Sequence, residues 1–444
     1  MEFGFVNKSN MSMVIDLYEL TMAQVYFNEN HNKTAVFDFF VRPTKKRPYF
    51  IFAGLEQLLY YVQNITFIQE DLDFLKSTNL FNDDFLHYLS KFKFTGNLYA
   101  FEEGEFFFAN EPVVIIEAPL IEAQIIETFL INTLQIQILV ATKALRCYSV
   151  ANGKLLVDFG LRRAHGVDAG LKSARASYIG GFFGTSNVLA GKLFNIPIVG
   201  TIAHSFILSF ESEEKAFEAF AKNYPENTVL LIDTFNTIEG AKKAVETAKK
   251  LGIKLKGVRI DSGNLLELSR KVRKILDENN FKDSIIIASG GIDEYKIKYL
   301  EENNAPINSY GVGTKLVVSA DVPYLDCAYK LVQYNDRPVM KLSSKKIYLP
   351  SKKQVFRSFE NEYFKEDIIG LFDERLGKPM LKHIIKDGNL VYNLPHIKEI
   401  KEKAISSLKF LPKNLKNIHN EEPYTPQISE NLKEVVQRVK NLLV

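Results

Sequence analysis

Residues 257–291 read GVRIDSGNLLELSRKVRKILDENNFKDSIIIASGG, which is two short apolar runs separated by a helical pattern. The runs are Gly257 to Ile260 and Ile285 to Ala288, and each is followed by a turn that contains serine and glycine. Short, nearly continuous apolar runs are typical of strands in a parallel sheet that is covered on both faces. A strand, a helix and a second strand in this order indicate a βα unit.

The same pattern recurs through the middle of the chain. Further apolar runs that end in a polar or glycine-containing turn are Leu155 to Val157, Ile198 to Gly200, Val229 to Ile232 and Tyr310 to Val312. About six units in about 180 residues predict an irregular α/β barrel, and a doubly wound open sheet is the alternative.

The two ends of the chain lack this regular alternation. The first third mixes short β-like runs, such as Ala35 to Val41, with helical patches, and the chain after Asp326 returns to β-like segments followed by helices. We therefore expect an α+β domain over residues 1–135, the irregular barrel with the active site over 136–325, and a segment over 326–444 that packs back on the N-terminal domain.

The composition is that of a soluble globular protein. The 444 residues include 56 Lys and Arg against 53 Asp and Glu, a net charge of +3 that disfavours a general nucleic-acid-binding protein. The Lys-rich stretch from Lys341 to Arg357 could bind nucleic acid, but a solvated face is the favoured interpretation. Two cysteines cannot form a disulfide framework or a four-thiolate zinc site, which favours a reducing cytoplasm.

No segment predicts a membrane span or secretion. The apolar stretch from Thr128 to Thr142 is about 15 residues long, shorter than the ~20 residues that a span requires, and it predicts a buried helix. The N-terminus lacks the basic start and the continuous apolar stretch of a secretory signal. We therefore expect a cytoplasmic protein without a membrane partner.

Polar residues follow nearly every predicted strand, which is where a parallel barrel assembles its active site. They are Asp158, His204, Asp233, Arg259, Asp261, Ser289 to Gly291 and Gly311 to Thr314. The segment from Lys143 to Arg175 adds seven Lys and Arg against two Asp, a local balance of 7 − 2 = +5. We therefore expect a site for anionic ligands at the barrel mouth, with an ordinary basic surface loop as the alternative.

Two glycine-rich turns indicate phosphate binding. Ser289-Gly290-Gly291 and Gly311-Val312-Gly313-Thr314 follow the last two predicted strands, and the first of them precedes a helix. Glycines let backbone N–H groups approach an anion closely, and a helix N-terminus adds a favourable dipole. In barrels, phosphate sites are commonly built from the loops after the last two strands.

His204 and its neighbours leave several kinds of chemistry open. A general base, a phosphate ligand and a phosphoryl acceptor are all compatible with a histidine at this position, and Asp233 could orient its ring through a hydrogen bond. Arg259 and Asp261 are two apart in a strand and point to the same side, so that both can reach one ligand. No second histidine stands at ligand spacing, which disfavours a metal site held by the protein alone.

Seven motifs taken together resemble those of nicotinate phosphoribosyltransferases, a family of the type II phosphoribosyltransferase superfamily. They are Asp16 to Met22, Asp158 to Ala164, Gly184 to Asn187, Thr201 to Ser205, Arg259 to Gly263, Ser289 to Gly291 and Gly311 to Thr314. The resemblance implies an irregular α/β barrel with an α+β domain built from both chain ends. It also implies transfer of phosphoribosyl from phosphoribosyl diphosphate to nicotinate, coupled to ATP hydrolysis and assisted by Mg²⁺, which is a ligase-type reaction of NAD salvage.

The resemblance also assigns roles to single residues. It makes His204 a phosphohistidine that Asp233 orients. It implies that nicotinate is bound by Tyr18, Phe159, Ser186, Thr201 and Arg259. It implies that phosphoribosyl diphosphate is bound by Arg162, Asp261, Ser289, Gly290, Gly291, Gly311, Gly313 and Thr314. Since Tyr18 comes from the partner subunit in this superfamily, the resemblance implies a homodimer with shared active sites.

Three other functions remain as alternatives. A nicotinamide phosphoribosyltransferase resembles this pattern, but it carries an acid at the position of Ser186. A quinolinate phosphoribosyltransferase is a shorter chain and lacks the motif from Thr201 to Ser205. A non-catalytic binding protein on the same barrel would retain the phosphate loops without turnover, and the set of His204, Asp233, Arg259 and Asp261 speaks against it.

Overall fold

The computed structural model describes residues 6–342 and 348–443. The chain forms two compact units. The first combines the two ends of the chain, up to Leu139 and from Tyr324 onward, and the second consists of Val140–Pro323.

The strands of the described residues are numbered in chain order: β1 Thr34–Val41, β2 Phe50–Ile51, β3 Asn97–Ala100, β4 Phe106–Phe107, β5 Val114–Pro119, β6 Leu155–Asp158, β7 Gly184–Thr185, β8 Val229–Leu231, β9 Gly257–Ile260, β10 Ile285–Ala288, β11 Ser309–Val312, β12 Cys327–Tyr334, β13 Arg337–Pro338, β14 Lys353–Glu360, β15 Tyr363–Leu371, β16 Lys378–Pro379, β17 Lys382–Lys386, β18 Asn389–Leu390 and β19 Gln427–Ile428.

The α-helices of the same residues are α1 Leu17–Asn28, α2 Leu55–Asn64, α3 Gln69–Ser77, α4 Asp83–Leu89, α5 Leu120–Ile125, α6 Glu127–Val150, α7 Val167–Ile179, α8 Val188–Phe194, α9 His204–Leu208, α10 Glu213–Asn223, α11 Thr237–Leu251, α12 Leu265–Glu278, α13 Glu294–Glu302, α14 Thr314–Val317, α15 Ile397–Phe410, α16 Lys413–Lys416 and α17 Glu430–Leu443. Short 3₁₀ helices cover Met11–Met13, Leu161–Arg163 and Pro225–Asn227.

The second unit contains the parallel sheet that the apolar runs predict. Its six strands lie in the order β7-β6-β11-β10-β9-β8, and the paired strands run parallel. The mixed α/β fold is therefore confirmed. A closed barrel is not shown, because β7 and β8 are the two ends of the sheet within the described residues.

The predicted strand from Ile198 to Gly200 is wrong. Ile198 forms a single bridge to Thr185, in which the N–H of Thr185 donates to the carbonyl of Pro197 and the N–H of Val199 donates to the carbonyl of Thr185. Pro197 stands just before it and has no N–H to donate, so the ladder cannot extend toward earlier residues. The chain then leaves the sheet and enters α9 at His204.

The first unit is built on antiparallel sheets to which both chain ends contribute. A seven-stranded sheet has the order β13-β12-β1-β5-β3-β17-β18, in which β1 pairs with β12 and β3 pairs with β17. A four-stranded sheet has the order β16-β14-β15-β19. Strands from before residue 120 and from after residue 326 thus share one sheet and one core.

The solvated face predicted for Lys341 to Arg357 is wrong for two of its cations. Lys353 is buried and lies 2.7 Å from Asp38, and Arg357 is buried and lies 2.6 Å from Asp367. Residues 343–347 of this stretch lie outside the described residues. Lys353 and Arg357 therefore serve the interior of the first unit: Lys353 pairs with Asp38 of the seven-stranded sheet, and Arg357 pairs with Asp367 on the neighbouring strand β15.

The apolar stretch from Thr128 to Thr142 lies in α6. This helix has the length and composition of a membrane span, but 67% of its apolar window is buried inside the protein. The predicted buried helix is therefore confirmed.

Candidate active site

The carboxyl ends of neighbouring parallel strands bring several predicted site residues together. The register pairs Asp158 with Val312 and Ile260 with Ala288, so that the residues after β6, β9, β10 and β11 emerge at one edge of the sheet. Ligand sites of parallel sheets lie at this edge. The second unit therefore has one location at which its strand-end side chains can act jointly.

Arg259 lies at the centre of this edge and contacts residues from three loops. Its Nε donates to Ser289 Oγ at 2.8 Å, its Nη1 donates to Thr201 Oγ1 at 3.1 Å, and its Nη2 lies 2.7 Å from Asp261 Oδ1. The side chain retains 14% exposure. A guanidinium that is fixed by several acceptors and still partly open is preorganised for an anionic group.

Asp261 remains a carboxylate in this arrangement. Burial acts to raise its pKa, but the hydrogen bond from Ser289 and the charge of Arg259 outweigh burial and hold the pKa below its ordinary value. Ser289 Oγ donates to Asp261 Oδ1 at 2.5 Å. The other carboxylate oxygen of Asp261, Oδ2, lies 4.0 Å from His204 Nε2.

His204 is the first residue of α9 and is half-exposed. Its Nδ1 lies 3.1 Å from the hydroxyl of Thr234, whereas its Nε2 lies 4.0 Å from Asp233 Oδ1. The predicted hydrogen bond from the His204 ring to Asp233 is therefore not formed, because 4.0 Å exceeds a hydrogen-bond distance. Sequence reasoning missed Thr234, although it directly follows Asp233 at the end of a strand.

One carboxylate oxygen of Asp233 accepts hydrogen bonds and the other accepts none among the described residues. Its Oδ2 accepts from the backbone N–H of Asp261 at 3.0 Å and from Ser262 Oγ at 2.6 Å. Its Oδ1 is buried and has no hydrogen-bond partner among the described residues. An unpaired buried carboxylate oxygen is costly, so this atom is available for a donor or a cation that arrives with a ligand.

Phe159 supplies an aromatic face next to Arg259. The guanidinium carbon of Arg259 lies 5.3 Å from the centre of the Phe159 ring. Gly311 lies directly under this ring, and a Cβ there would be 2.4 Å from Phe159 Cδ2. The structure thus gives Gly311 a packing role, since any side chain at this position would displace the ring.

The first glycine turn requires its glycines for two different reasons. Gly290 has a φ of +84°, and a Cβ there would be 1.7 Å from the carbonyl oxygen of Asp261. Gly291 has a φ of +63° in open space. The turn leads into α13, whose N-cap Asp293 accepts from the backbone N–H of Lys296 at 2.9 Å.

Two lysines that the sequence analysis did not single out flank this turn. Lys296 Nζ donates to the carbonyl of Gly290 at 3.3 Å, and Lys315 Nζ lies 2.6 Å from Asp293 Oδ2. Burial and the nearby charge of Lys315 lower the pKa of Lys296. The sequence around Lys296 and Lys315 did not indicate this role, because each lysine contacts a residue of another segment: Lys296 contacts Gly290 and Lys315 contacts Asp293.

The remaining predicted residues have different surroundings. Arg162 is exposed in the 3₁₀ helix that follows β6, and Thr314 is exposed at the start of α14. The N–H of Ser186 donates to the carbonyl of Asp158 at 2.8 Å, while Gly313 is half-buried. Tyr18 is half-exposed on α1 in the first unit, where burial and the nearby charge of Glu127 raise the pKa of its hydroxyl.

Asp158 supports the loop geometry from inside. Its Oδ1 accepts from the N–H of Gly160 at 2.8 Å and its Oδ2 accepts from the hydroxyl of Thr185 at 2.7 Å. Burial raises the pKa of Asp158, although both hydrogen bonds act in the opposite direction. This carboxyl therefore shapes the turn that carries Phe159 and Arg162.

The cationic barrel mouth predicted for Lys143 to Arg175 is mostly wrong. Lys143 and Arg146 are buried against Glu294, and Lys154 pairs with Glu301 at 2.6 Å. Lys172 pairs with Asp168 and Arg175 is fully buried, whereas Arg162 and Arg163 are exposed. The count of charges along the sequence was a poor guide, since carboxylates about 150 residues away neutralise Lys143, Arg146 and Lys154.

No group of three or more His, Cys, Asp or Glu side chains that could hold a metal ion occurs in residues 6–342 and 348–443. The acids at the strand ends are Asp158, Asp233 and Asp261. Both carboxylate oxygens of Asp158 already accept hydrogen bonds, from Gly160 and Thr185. Asp233 Oδ1 and Asp261 Oδ2 are the carboxylate oxygens left for a ligand-borne cation.

Comparisons with known proteins cover both units. The chain matches the nicotinate phosphoribosyltransferase N-terminal domain over residues 13–135, the nicotinate phosphoribosyltransferase family over residues 155–366 and the nicotinate phosphoribosyltransferase C-terminal domain over residues 377–436.

Individual relatives agree with these matches. Nicotinate phosphoribosyltransferase pncB2 of Mycobacterium tuberculosis is 41% identical over 414 residues, which cover 92% of this chain and 89% of the relative. Nicotinate phosphoribosyltransferase of Bacillus subtilis is 38% identical over 97% of this chain and 95% of its own length. The crystal structure of human nicotinic acid phosphoribosyltransferase aligns with a TM-score of 0.85 at 26% identity, covering 96% of this chain and 99% of that one. With this identity over nearly its whole length, the chain belongs to the nicotinate phosphoribosyltransferase family.

Proposed function

We propose that this chain transfers phosphoribosyl from phosphoribosyl diphosphate to nicotinate and so makes nicotinate mononucleotide for NAD salvage. The observation that carries the proposal is Arg259, which is partly open, is fixed by Thr201, Ser289 and Asp261, and lies beside the face of Phe159. A cation next to an aromatic face suits a flat, anionic ring such as nicotinate. The names of its relatives support the same activity.

The proposed reaction needs positioning and charge stabilisation more than proton transfer. The pyridine nitrogen uses its own lone pair to form a bond to the anomeric carbon, while the carbon–oxygen bond to diphosphate breaks and diphosphate leaves with the electron pair. Phe159 holds the ring in line, and Asp261 accepts hydrogen bonds from the ribose hydroxyls. Arg162 and the glycine turns stabilise the diphosphate and the 5-phosphate.

Mg²⁺ fits this site as an ion that enters with diphosphate. Such an ion would neutralise charge on the leaving group, and oxygen ligands suit it. Asp233 Oδ1, which is buried and unpaired, and Asp261 Oδ2 would hold it on the protein side.

ATP coupling through His204 is part of the proposal. The contact between Nδ1 and the hydroxyl of Thr234 orients the ring and leaves Nε2 facing the acidic edge of the site. Nε2 is then the nitrogen placed to attack the γ-phosphorus of ATP. The new nitrogen–phosphorus bond forms as the bond to ADP breaks.

An assay of nicotinate mononucleotide formation with and without ATP tests the activity and the coupling. We expect ATP to stimulate the wild type, and we expect His204→Ala to lose that stimulation while it keeps slow transfer. Stimulation of the variant to the wild-type extent would rule out phosphorylation of His204. If the wild type bound both substrates and formed no product, the non-catalytic binding protein would be the better description.

Nicotinate is the proposed substrate in preference to nicotinamide. Ser186 stands where the nicotinamide enzymes carry an acid, and a carboxylate there would repel the carboxylate of nicotinate. We expect a higher kcat/KM for nicotinate, and we expect Ser186→Asp to shift the ratio toward nicotinamide. A wild type that prefers nicotinamide would contradict this choice.

We also propose a homodimer in which Tyr18 completes the site of the partner. Two exposed apolar surfaces support it: Leu17, Tyr18 and Val25 on α1, and Val188, Leu193 and Ile198 on and after α8. Burial of such groups between two copies would be favourable. Tyr18→Ala and Arg259→Ala should each be inactive, and mixed dimers of the two should regain activity because one of their sites is intact. A fully active monomer in sedimentation would exclude shared sites.

The cytoplasm is the proposed compartment. The chain has only two cysteines, Cys147 and Cys327, and both are unpaired. Free thiols suit a reducing compartment. Fractionation of the source cells tests this location.

A further inference from the structure

A cluster of buried charges lies behind the two glycine turns. Lys143 Nζ is 2.6 Å from Glu294 Oε2 and 2.6 Å from Asp321 Oδ1, and Arg146 Nε is 3.0 Å from Glu294 Oε1. The side chains of Lys143, Arg146 and Glu294 are at most 1% exposed, and that of Asp321 is 14% exposed. The reaction proposed above uses none of them.

The partners of Lys143 belong to the two elements that carry the glycine turns. Glu294 is the first residue of α13, which follows Gly290-Gly291, and Asp321 comes shortly after α14, which follows Gly313. Lys143 on α6 therefore joins the supports of both turns through a single ammonium group.

A second bridge joins the same two elements closer to the surface. Asp293, which precedes Glu294, lies 2.6 Å from Lys315 on α14. Two adjacent acids at the start of α13 thus connect to the α14 region, one through the buried Lys143 and one directly through Lys315. The elements that follow the two glycine turns are thus joined both in the interior and closer to the surface.

The buried bridge keeps its charge. Burial acts to lower the pKa of Lys143, but the charges of Glu294 and Asp321 outweigh it and raise the pKa above its ordinary value. A buried ion pair adds little net stability when compared with apolar packing, although loss of one partner is costly. Its contribution here is geometric, since an ammonium between two carboxylates allows only a narrow range of spacings.

We propose that Lys143 is a positioning residue that fixes the spacing of the two glycine turns and thereby the affinity for the phosphate end of phosphoribosyl diphosphate. This inference rests on the proposed function, because that function assigns the turns to the 5-phosphate. Lys143 itself touches no substrate. Its loss should therefore affect the phosphate-bearing substrate and spare the pyridine substrate.

The test compares Lys143→Met with wild type in steady-state kinetics. We expect the KM for phosphoribosyl diphosphate to rise roughly ten- to hundredfold, as a displacement of about 1 Å would cause, while the KM for nicotinate changes by less than about twofold. The Kd of nicotinate mononucleotide, measured by calorimetry, should rise in parallel with the first KM. Equal changes in both KM values, or an unchanged KM for phosphoribosyl diphosphate, would overturn the proposal.

Lys353→Met is the matched control. It breaks the buried pair of Lys353 with Asp38, whose side chains are each 3% exposed, in the first unit. We expect a comparable loss of Tm without the selective rise in KM. If the control shows the same selective rise, general destabilisation explains the effect and the positioning role is lost.

Two milder variants keep the test open if Lys143→Met does not fold. Asp321→Asn removes one charge at a partly exposed position, and Lys143→Arg retains the charge with a different shape. We expect both to raise the KM for phosphoribosyl diphosphate selectively and by less. A wild type that makes no product would count against the proposed function, whereas an active wild type with unselective variants would count against this inference alone.

Discussion

Each of the two units contains a pair of an arginine and an aspartate at its sheet, and the two pairs differ in exposure. In the first unit, Arg357 and Asp367 are at most 1% exposed, and the guanidinium carbon of Arg357 lies 3.7 Å from the centre of the Phe106 ring. In the second unit, Arg259 and Asp261 retain 14% and 29% exposure. An enclosed ion pair can act only through the geometry of the fold, whereas a pair that stays partly open can also contact a ligand.

Arg357→Met should show the largest effect on stability. It would leave Asp367 and Glu111 in the interior without their cation, and loss of one partner of a buried pair costs about 3–5 kcal/mol. Burial and the nearby charge of Asp367 already raise the pKa of Glu111 well above its ordinary value. Urea denaturation measures the change in unfolding free energy.

Arg42→Met is the control for this prediction. Arg42 pairs with Asp326 at 2.7 Å in the same unit, but the two side chains are 18% and 49% exposed. Its loss should cost less than about 1 kcal/mol, because water replaces the partner. Equal losses in the two variants would mean that burial does not distinguish these pairs.

Arg259→Met should have the opposite effect, a large loss of activity with little loss of stability. We expect kcat/KM for nicotinate to fall by a factor that corresponds to about 3–4 kcal/mol of transition-state stabilisation, which is the size of one lost contact to the transition state. The unfolding free energy should change little. Arg270→Met, on the outer part of the second unit, should leave kcat/KM unchanged. An active Arg259→Met enzyme would place the nicotinate site elsewhere.

Glu19 offers a test of a carboxyl that is buried without a cation. Burial raises its pKa to about 8, although hydrogen bonds from Thr128 act to lower it. The folded state therefore holds a proton that the unfolded state releases near pH 4.5, and the unfolding free energy should fall as pH rises from about 4.5 to about 8, by up to about 1.4 kcal/mol per pH unit.

The measurement is a series of denaturation curves across that pH range. Glu19→Gln should flatten the slope, because an amide has no proton to lose. Glu70→Gln, an exposed position, should leave the slope as in the wild type. A slope that persists in Glu19→Gln would assign the titration to another group.

Thr234→Val should have the smallest effect. It removes the hydroxyl that lies 3.1 Å from His204 Nδ1, and one hydrogen bond contributes about 0.5–1.5 kcal/mol. We expect ATP stimulation to fall by roughly tenfold or less, which corresponds to that energy, and Thr234→Ser to retain it. If Asp233→Asn impairs stimulation and Thr234→Val does not, the acid orients the histidine despite the 4.0 Å separation.

The sequence predicted those parts of the site that depend on local pattern. Apolar runs followed by polar turns identified the ends of β6, β9 and β10, and the parallel register then brings Asp158, Arg259 and Ser289 to one edge. Gly290 was identifiable for the same reason, since its turn has a local signature.

The sequence failed where long-range pairing decides the outcome. Arg146 and Glu294 are 148 residues apart, so the apparent excess of cations after Lys143 contained no sign of its neutralisation. His204 and Thr234, which are in contact, are 30 residues apart in the sequence. Lys315, which bridges to Asp293, has no sequence feature that distinguishes it from an ordinary surface lysine. The short contact at Ile198 was also hidden, because an apolar run does not reveal how many of its residues pair.

The pairing of β1 with β12 has a consequence for synthesis of the chain. The residues of β1 lie within 34–41 and those of β12 within 327–334, and the whole second unit is encoded between them. At about 5–20 residues per second, a ribosome needs roughly 15–60 s to deliver the partner strand after β1 has emerged. The second unit can complete its sheet during this interval, while β1 waits with an unpaired edge. The nascent chain is therefore expected to fold from its middle outward, and β1, with Phe37, Phe39 and Phe40, keeps one edge unpaired until β12 has been made.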